Sequence, residues 1–249
     1  MKVAWERLIR FVATDGRTLY GEPILPSPEF DLGNTTAETK LKAKIIQGDI
    51  YDTTGSTKVT DEVVTVKTLL GPLAPSDVPI LRCVGLNYAK HIREAGRTEP
   101  PFPSIFFKPS TTVADHGSDV VIPVIAQDDQ ADYEGELVVI IGKDAKDVPE
   151  SEALDLIANP AELHFQTIVD GEIRQDTGLD DLIFSVPRLI AHLSAGTTLQ
   201  KGSVIMTGTP GGVGFAMKPP RYLVPGTQME VKIPRIGTLK NGVSFASQK

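Results

Sequence analysis

Cysteine is nearly absent from this 249-residue sequence: Cys83 stands alone. No internal disulfide can form and no multi-cysteine zinc site can be built, so a reducing compartment, the cytoplasm, is the expected location. Long apolar runs are missing too. No window approaches a membrane span, and Met1-Lys2-Val3-Ala4-Trp5-Glu6-Arg7-Leu8 contains no apolar leader core. Basic runs are also lacking. With 25 Lys and Arg against 32 Asp and Glu the formal charge is −7, which argues against a nucleic-acid surface. There is no internal repeat.

What is present is globular. Hydrophobic residues make up 41% of the chain and the mean hydropathy is −0.05, as in soluble domains. The length allows one large domain, or a domain with a small N-terminal module. The 19 prolines and 22 glycines are scattered, which predicts a loop-rich, β-dominated α+β fold. Residues 1–70 read as the small β-rich module. Trp5 to Ala13 and Leu19 to Ile24 flank the hairpin signal Asp15-Gly16, with further strands at Ala43 to Ile46 and Glu62 to Val66. The Pro/Gly-punctuated Leu70-Gly71-Pro72-Leu73-Ala74-Pro75 marks the boundary with a main domain over 71–249. There, strands are expected at Ile80 to Val84, Ile105 to Lys108, Val120 to Val124, Val204 to Met206 and Met229 to Ile233. Helices are expected at Tyr88 to Ala95, from Ser151 (as cap) to Leu156, and at Val186 to Leu193. Asp170-Gly171 signals another hairpin, and Gly237 and Asn241-Gly242 read as turns.

The most informative stretch is Asp132-Tyr133-Glu134-Gly135-Glu136-Leu137, running into the β-branched Val138-Val139-Ile140-Ile141. Side chains alternate along a strand, so Glu134 and Glu136 share a face. Two carboxylates at the mouth of an apolar strand repel each other and resist desolvation unless they share a proton or hold a cation. A hard divalent ion, Mg2+ or Mn2+, suits such a pair. The alternative is a solvated edge face on which both pair with lysines. On the expected helix after Gly85, His91 and Glu94 stand three apart and share a face, a base oriented by a carboxylate or else a surface ion pair. Lys108 ends an apolar strand before a proline, so its ammonium either emerges into a cleft or snorkels at the surface. Thr207-Gly208-Thr209-Pro210-Gly211-Gly212-Val213-Gly214 could offer backbone N–H groups to an anionic oxygen. It is no phosphate loop, since the Lys-Ser/Thr ending is absent. His192, His116 and His164 carry no functional claim.

Six stretches in sequence order resemble the fumarylacetoacetate hydrolase family, in its short single-domain branch. They are Val84-Gly85-Leu86-Asn87-Tyr88-Ala89-Lys90-His91, Phe107-Lys108-Pro109-Ser110, Asp132 to Leu137, Val169-Asp170-Gly171-Glu172-Ile173-Arg174-Gln175, Leu182-Ile183-Phe184-Ser185 and Thr207 to Pro210. The similarity runs from about residue 70 to 235. It implies a mixed β-roll, a homodimer and a divalent metal. Glu134 and Glu136 become metal carboxylates, His91 with Glu94 a water-activating dyad, and Thr209, with Lys108, a substrate contact. The implied substrate is a small 2-oxo acid. The expected reaction is hydrolytic cleavage of a carbon–carbon bond in 1,3-dicarbonyl acids such as acylpyruvates. The alternatives are oxaloacetate decarboxylation or keto–enol tautomerisation at the same site, or a non-catalytic member.

One departure from the family is clear. After the counterpart of Leu154-Asp155 the family continues for a few dozen residues. They include an Asn-Asp-Val-Ser-Ala-Arg motif, implied to supply a third metal ligand (Asp) and a substrate-holding Arg, and later a lysine in a Lys-Ser-Phe-Asp type motif. Here Ser151-Glu152-Ala153-Leu154-Asp155 runs almost directly into Leu156-Ile157-Ala158-Asn159-Pro160, which resembles the far side of that segment. Either a mobile stretch is missing from the sequence as written, or a third ligand and two substrate groups have been lost. The first is the expectation, because excising central core structure is costly.

Overall fold

The first strand begins at Ile9, with Ile9, Arg10 and Phe11 all buried. The computed structural model describes residues 3–153 and 163–247. In it, β1 (Ile9–Ala13) and β2 (Thr18–Ile24) form the hairpin expected around Asp15-Gly16. Gly16 adopts φ +91, a left-handed conformation glycine reaches without a Cβ penalty. β3 (Lys42–Gln47) follows, and β4 (Lys58–Leu69) pairs back on β1 to close a four-stranded barrel. Its interior is packed by Ile9, Phe11, Ala13, Leu41, Ala43 and Val66.

The chain then runs through β5 (Leu81–Gly85), α1 (Ala89–Glu94), β6 (Ser104–Lys108), β7 (Asp119–Ile122), β8 (Val138–Ile140), β9 (Ala145–Lys146) and α2 (Glu150–Ala153). After the undescribed stretch come β10 (His164–Val169), β11 (Glu172–Gly178) and α3 (Val186–Ser194). β12 (Thr198–Leu199), β13 (Val204–Met206), β14 (Gln228–Ile233) and β15 (Gly237–Phe245) complete the order. One sheet is ordered β6-β5-β13-β8, with β13 parallel to β5 and antiparallel to β8. A second is ordered β11-β10-β14-β15-β7. The amphipathic α3 is capped by Ser185, whose hydroxyl accepts from the Arg188 N–H, and Pro187 sits harmlessly in its first turn. It buries Val186, Leu189 and Ile190 against Val139, Ile141 and Ile205. Leu137, Tyr88, Phe165 and Ile233 form a separate apolar cluster, so the stretch leading into β8 is gripped from both sides.

The barrel is tied to the rest by buried and half-buried polar contacts. Arg10 donates from Nε to the Gly71 carbonyl at 3.1 Å and pairs with Asp115. Tyr20 bonds Asp77, and Asp31 accepts from the Thr238 N–H at 2.8 Å.

Two local expectations are corrected. Asn241-Gly242 is no turn: both lie inside β15, where Gly242 lets Asp119 of β7 approach so closely that a Cβ would sit 2.3 Å from its Oδ1. Ser151 lies within α2, which begins at Glu150, rather than capping it. The junction at Asp155-Leu156 falls outside the described residues.

Candidate active site

The alternation expected at the carboxylate stretch is present although residues 132–137 join no ladder. Tyr133, Gly135, Leu137 and Val139 are buried, while Glu134 is exposed and Glu136 half-buried on the other face. Glu136 is not on a solvated edge. Burial pushes its carboxyl up to about 7, and the nearby Glu134 charge adds to this; the Gly208 N–H and the Lys108 ammonium oppose it. Glu136 Oε2 accepts from the Gly208 N–H at 2.7 Å. Lys108, exposed at the end of β6, thus favours the charged form of Glu136 through its field.

His91 and Glu94 are brought together on α1. His91 Nδ1 lies 2.8 Å from Glu94 Oε1, and the His91 residue is only 7% exposed, so the imidazole is buried while its carboxylate partner reaches the surface. Sharing Nδ1–H with the carboxylate leaves Nε2 as the acceptor, the arrangement of an oriented base. Glu94 Oε2 accepts from the Gly212 N–H at 2.9 Å. One glycine loop therefore touches both groups, Glu136 through Gly208 and Glu94 through Gly212. Gly212 has φ +110, and a Cβ there would lie 1.9 Å from the Arg174 carbonyl oxygen, so no other residue fits.

Three residues not singled out from the sequence hold this loop against the carboxylate stretch. Tyr133 donates its hydroxyl to the Gly212 carbonyl at 2.7 Å. Asp132 accepts from the N–H groups of Gly214 at 2.9 Å and Phe215 at 2.7 Å. Gln175, fully buried, accepts from the Gly135 N–H at 2.9 Å and donates to Thr209 Oγ1 at 2.7 Å and the Pro210 carbonyl at 2.9 Å. Thr209 in turn donates to the Gly135 carbonyl at 3.0 Å, so its hydroxyl works inside this network. Asn87 holds the turn into α1 in the same way: Nδ2 donates to the Thr207 carbonyl at 2.8 Å and Oδ1 accepts from the Phe184 N–H at 2.8 Å. The signal for these residues was their place in the quoted motifs. Periodicity gives none, because each acts through partners far away in sequence.

The Fumarylacetoacetate (FAA) hydrolase C-terminal family pattern matches residues 81–159 and 157–244. The chain belongs to the fumarylacetoacetate hydrolase family. It is 37% identical to the caffeoylpyruvate hydrolase of Neonothopanus nambi over 271 aligned positions, covering 96% of this chain and 93% of that one. It is 34% identical to an oxaloacetate tautomerase of Bacillus subtilis, over 65% of this chain and 68% of that protein. A crystal structure of a 5-carboxymethyl-2-hydroxymuconate delta-isomerase from Mycobacterium smegmatis superposes with a TM-score of 0.73 at 25% identity, covering 97% of this chain and all of that one. The fold is thus that of the fumarylacetoacetate hydrolase family, and the relatives named are enzymes.

The family match restarts where the sequence departs from the pattern, its two stretches meeting at 157–159. The alignment with the caffeoylpyruvate hydrolase is longer than the part of this chain it matches, 271 positions against 96% of 249 residues, about 239. As donors, a buried Glu136 and a neighbouring Glu134 suit a hard divalent ion, which removes the penalty of leaving Glu136 charged. They are two ligands, however. Among the described residues no group of three or more His, Cys, Asp or Glu gathers around a metal position.

Proposed function

We propose that this chain is a divalent-cation-dependent hydrolase that cleaves the carbon–carbon bond of acylpyruvate-type 1,3-dicarbonyl acids. The observation that carries the proposal is the single glycine loop that bonds Glu94 of the dyad through Gly212 and Glu136 of the carboxylate pair through Gly208. Similarity to a caffeoylpyruvate hydrolase over nearly the whole chain supports it.

Glu134 and Glu136 would hold Mg2+ or Mn2+, which when bound supplies Lewis-acid stabilisation of negative charge on the 2-oxo acid end. His91, fixed by Glu94, takes a proton from water through Nε2, and the resulting hydroxide adds to the distal carbonyl carbon. The bond from that carbon to the adjacent CH2 then breaks. Its electron pair passes to the 2-oxo acid fragment, which leaves as pyruvate enolate and takes up the proton held by His91; the acyl fragment leaves as a carboxylic acid, which releases its proton to water. The Lys108 ammonium favours the anionic fragment electrostatically. Thr209 keeps the loop in register through its bonds to Gly135 and Gln175.

A second reading, supported by the similarity to an oxaloacetate tautomerase, uses the same site on oxaloacetate with no attacking water. The two part on products. With Mg2+ and an acylpyruvate, hydrolysis releases pyruvate and a carboxylic acid in equal amounts and depends on His91. Carbon dioxide release or enol conversion of oxaloacetate, with acylpyruvate untouched, would favour the second reading.

A homodimer belongs to the same proposal. Val120, Val121, Val124 and Ile125, on and beside the edge strand β7, form an exposed apolar row, with Ile125 86% exposed. Such a row on a sheet edge calls for a covering surface.

A further inference from the structure

Phe215 is an apolar ring with no core to fill. It is 45% exposed and joins none of the apolar clusters of the described residues. Its neighbour is the buried His91: the ring meets the imidazole edge-on, with centroids 6.5 Å apart and planes at 80°. Its backbone has little freedom. Phe215 N–H donates to Asp132 Oδ2 at 2.7 Å, and the preceding Gly214 is wedged so that a Cβ would lie 1.9 Å from the Arg221 carbonyl oxygen. An exposed phenyl ring held this firmly beside a catalytic imidazole costs hydration free energy unless something covers it.

The reaction indicates what covers it. Water activated by His91 attacks the distal carbonyl carbon, so the substituent on that carbon lies beside the imidazole. Phe215 presents its aromatic ring beside that same imidazole. We infer that Phe215 is a specificity-determining residue that packs against the acyl substituent, and that the preferred substrates are acylpyruvates whose acyl group bears an aryl ring. Two aromatic rings in offset or edge-on contact gain free energy beyond simple burial, whereas a methyl substituent leaves most of the ring wet. This inference rests on the hydrolase reading above.

The test compares benzoylpyruvate with acetylpyruvate on the full chain with Mg2+, following pyruvate release. Phe215→Ala is expected to lower kcat/KM for benzoylpyruvate about tenfold more than for acetylpyruvate. Phe215→Tyr should keep the benzoyl preference, and Phe215→Leu should fall between. Equal losses on both substrates would show that the ring serves only to steady His91 and would overturn the inference while leaving the hydrolase reading standing. No difference from wild type on benzoylpyruvate would also overturn it. If wild type cleaves neither substrate, the hydrolase reading fails, and the inference falls with it.

Discussion

Glu136 concentrates the energetic tension of the site in one side chain. Its carboxyl is pushed from 4.5 up to about 7, chiefly by burial. The folded state therefore holds this proton more tightly than the unfolded state. The contribution is fully present below about pH 4.5 and is lost as pH rises through about 7, amounting to about 3 kcal/mol. Protein stripped of divalent ions with EDTA should melt at progressively lower temperature as pH is raised across that window. Glu136→Gln should flatten this slope, and Mg2+ or Mn2+ should restore the wild-type melting temperature above pH 7. An identical slope in wild type and Glu136→Gln would place the buried charge elsewhere. The pairing of Glu134 with Glu136, and of His91 with Glu94, was legible because each is a local spacing on a strand-like or helical segment. The buried state of His91 was not legible, since it depends on the glycine loop and on Phe215, more than a hundred residues away.

The elements around the glycine loop hold it by a few polar contacts rather than by apolar packing. Gln175 on β11 is the clearest case, because one amide satisfies the Gly135 N–H, Thr209 Oγ1 and the Pro210 carbonyl. Replacing it with Leu leaves several buried groups without partners, at about 1–3 kcal/mol each. Gln175→Leu should lower stability by roughly 3 kcal/mol in chemical unfolding and reduce turnover, while Gln175→Glu, which keeps the acceptor, should do less damage. A loss below 0.5 kcal/mol, on the order of a surface change, would show the network to be dispensable. Strand and helix positions came through well at this scale, since β5 and α3 follow their apolar patterns and β10 and β11 flank the Asp170-Gly171 hairpin signal. Asn241-Gly242 misled because a glycine that admits a neighbouring strand looks the same in sequence as one that makes a turn. The helix α2 begins at Glu150, one residue before the cap read from the sequence.

For the whole molecule, the β-rich N-terminal segment is a closed barrel, a feature alternation alone does not reveal. Closure needs β4 to return to β1, and only the pairing shows that. The family pattern was legible because its motifs recur in order. The consequence of the missing stretch was legible only as a discontinuity at residues 155–156. The apolar row at β7 gives the dimer proposal its test. Light scattering on the purified protein should report about twice the 26.8 kDa chain mass, and Ile125→Asp should shift it toward the monomer, as expected for a charge placed in an apolar interface. A wild-type mass of one chain would rule the dimer out.

The central claim is that the His91–Glu94 dyad activates water at a site completed by the carboxylate pair. Its most direct test is pyruvate release from an acylpyruvate by wild type and His91→Ala, measured with Mg2+ and again after EDTA. The account predicts Mg2+-dependent release by wild type and a loss of roughly 10²- to 10⁴-fold in His91→Ala. Cleavage that survives His91→Ala at the wild-type rate would contradict it.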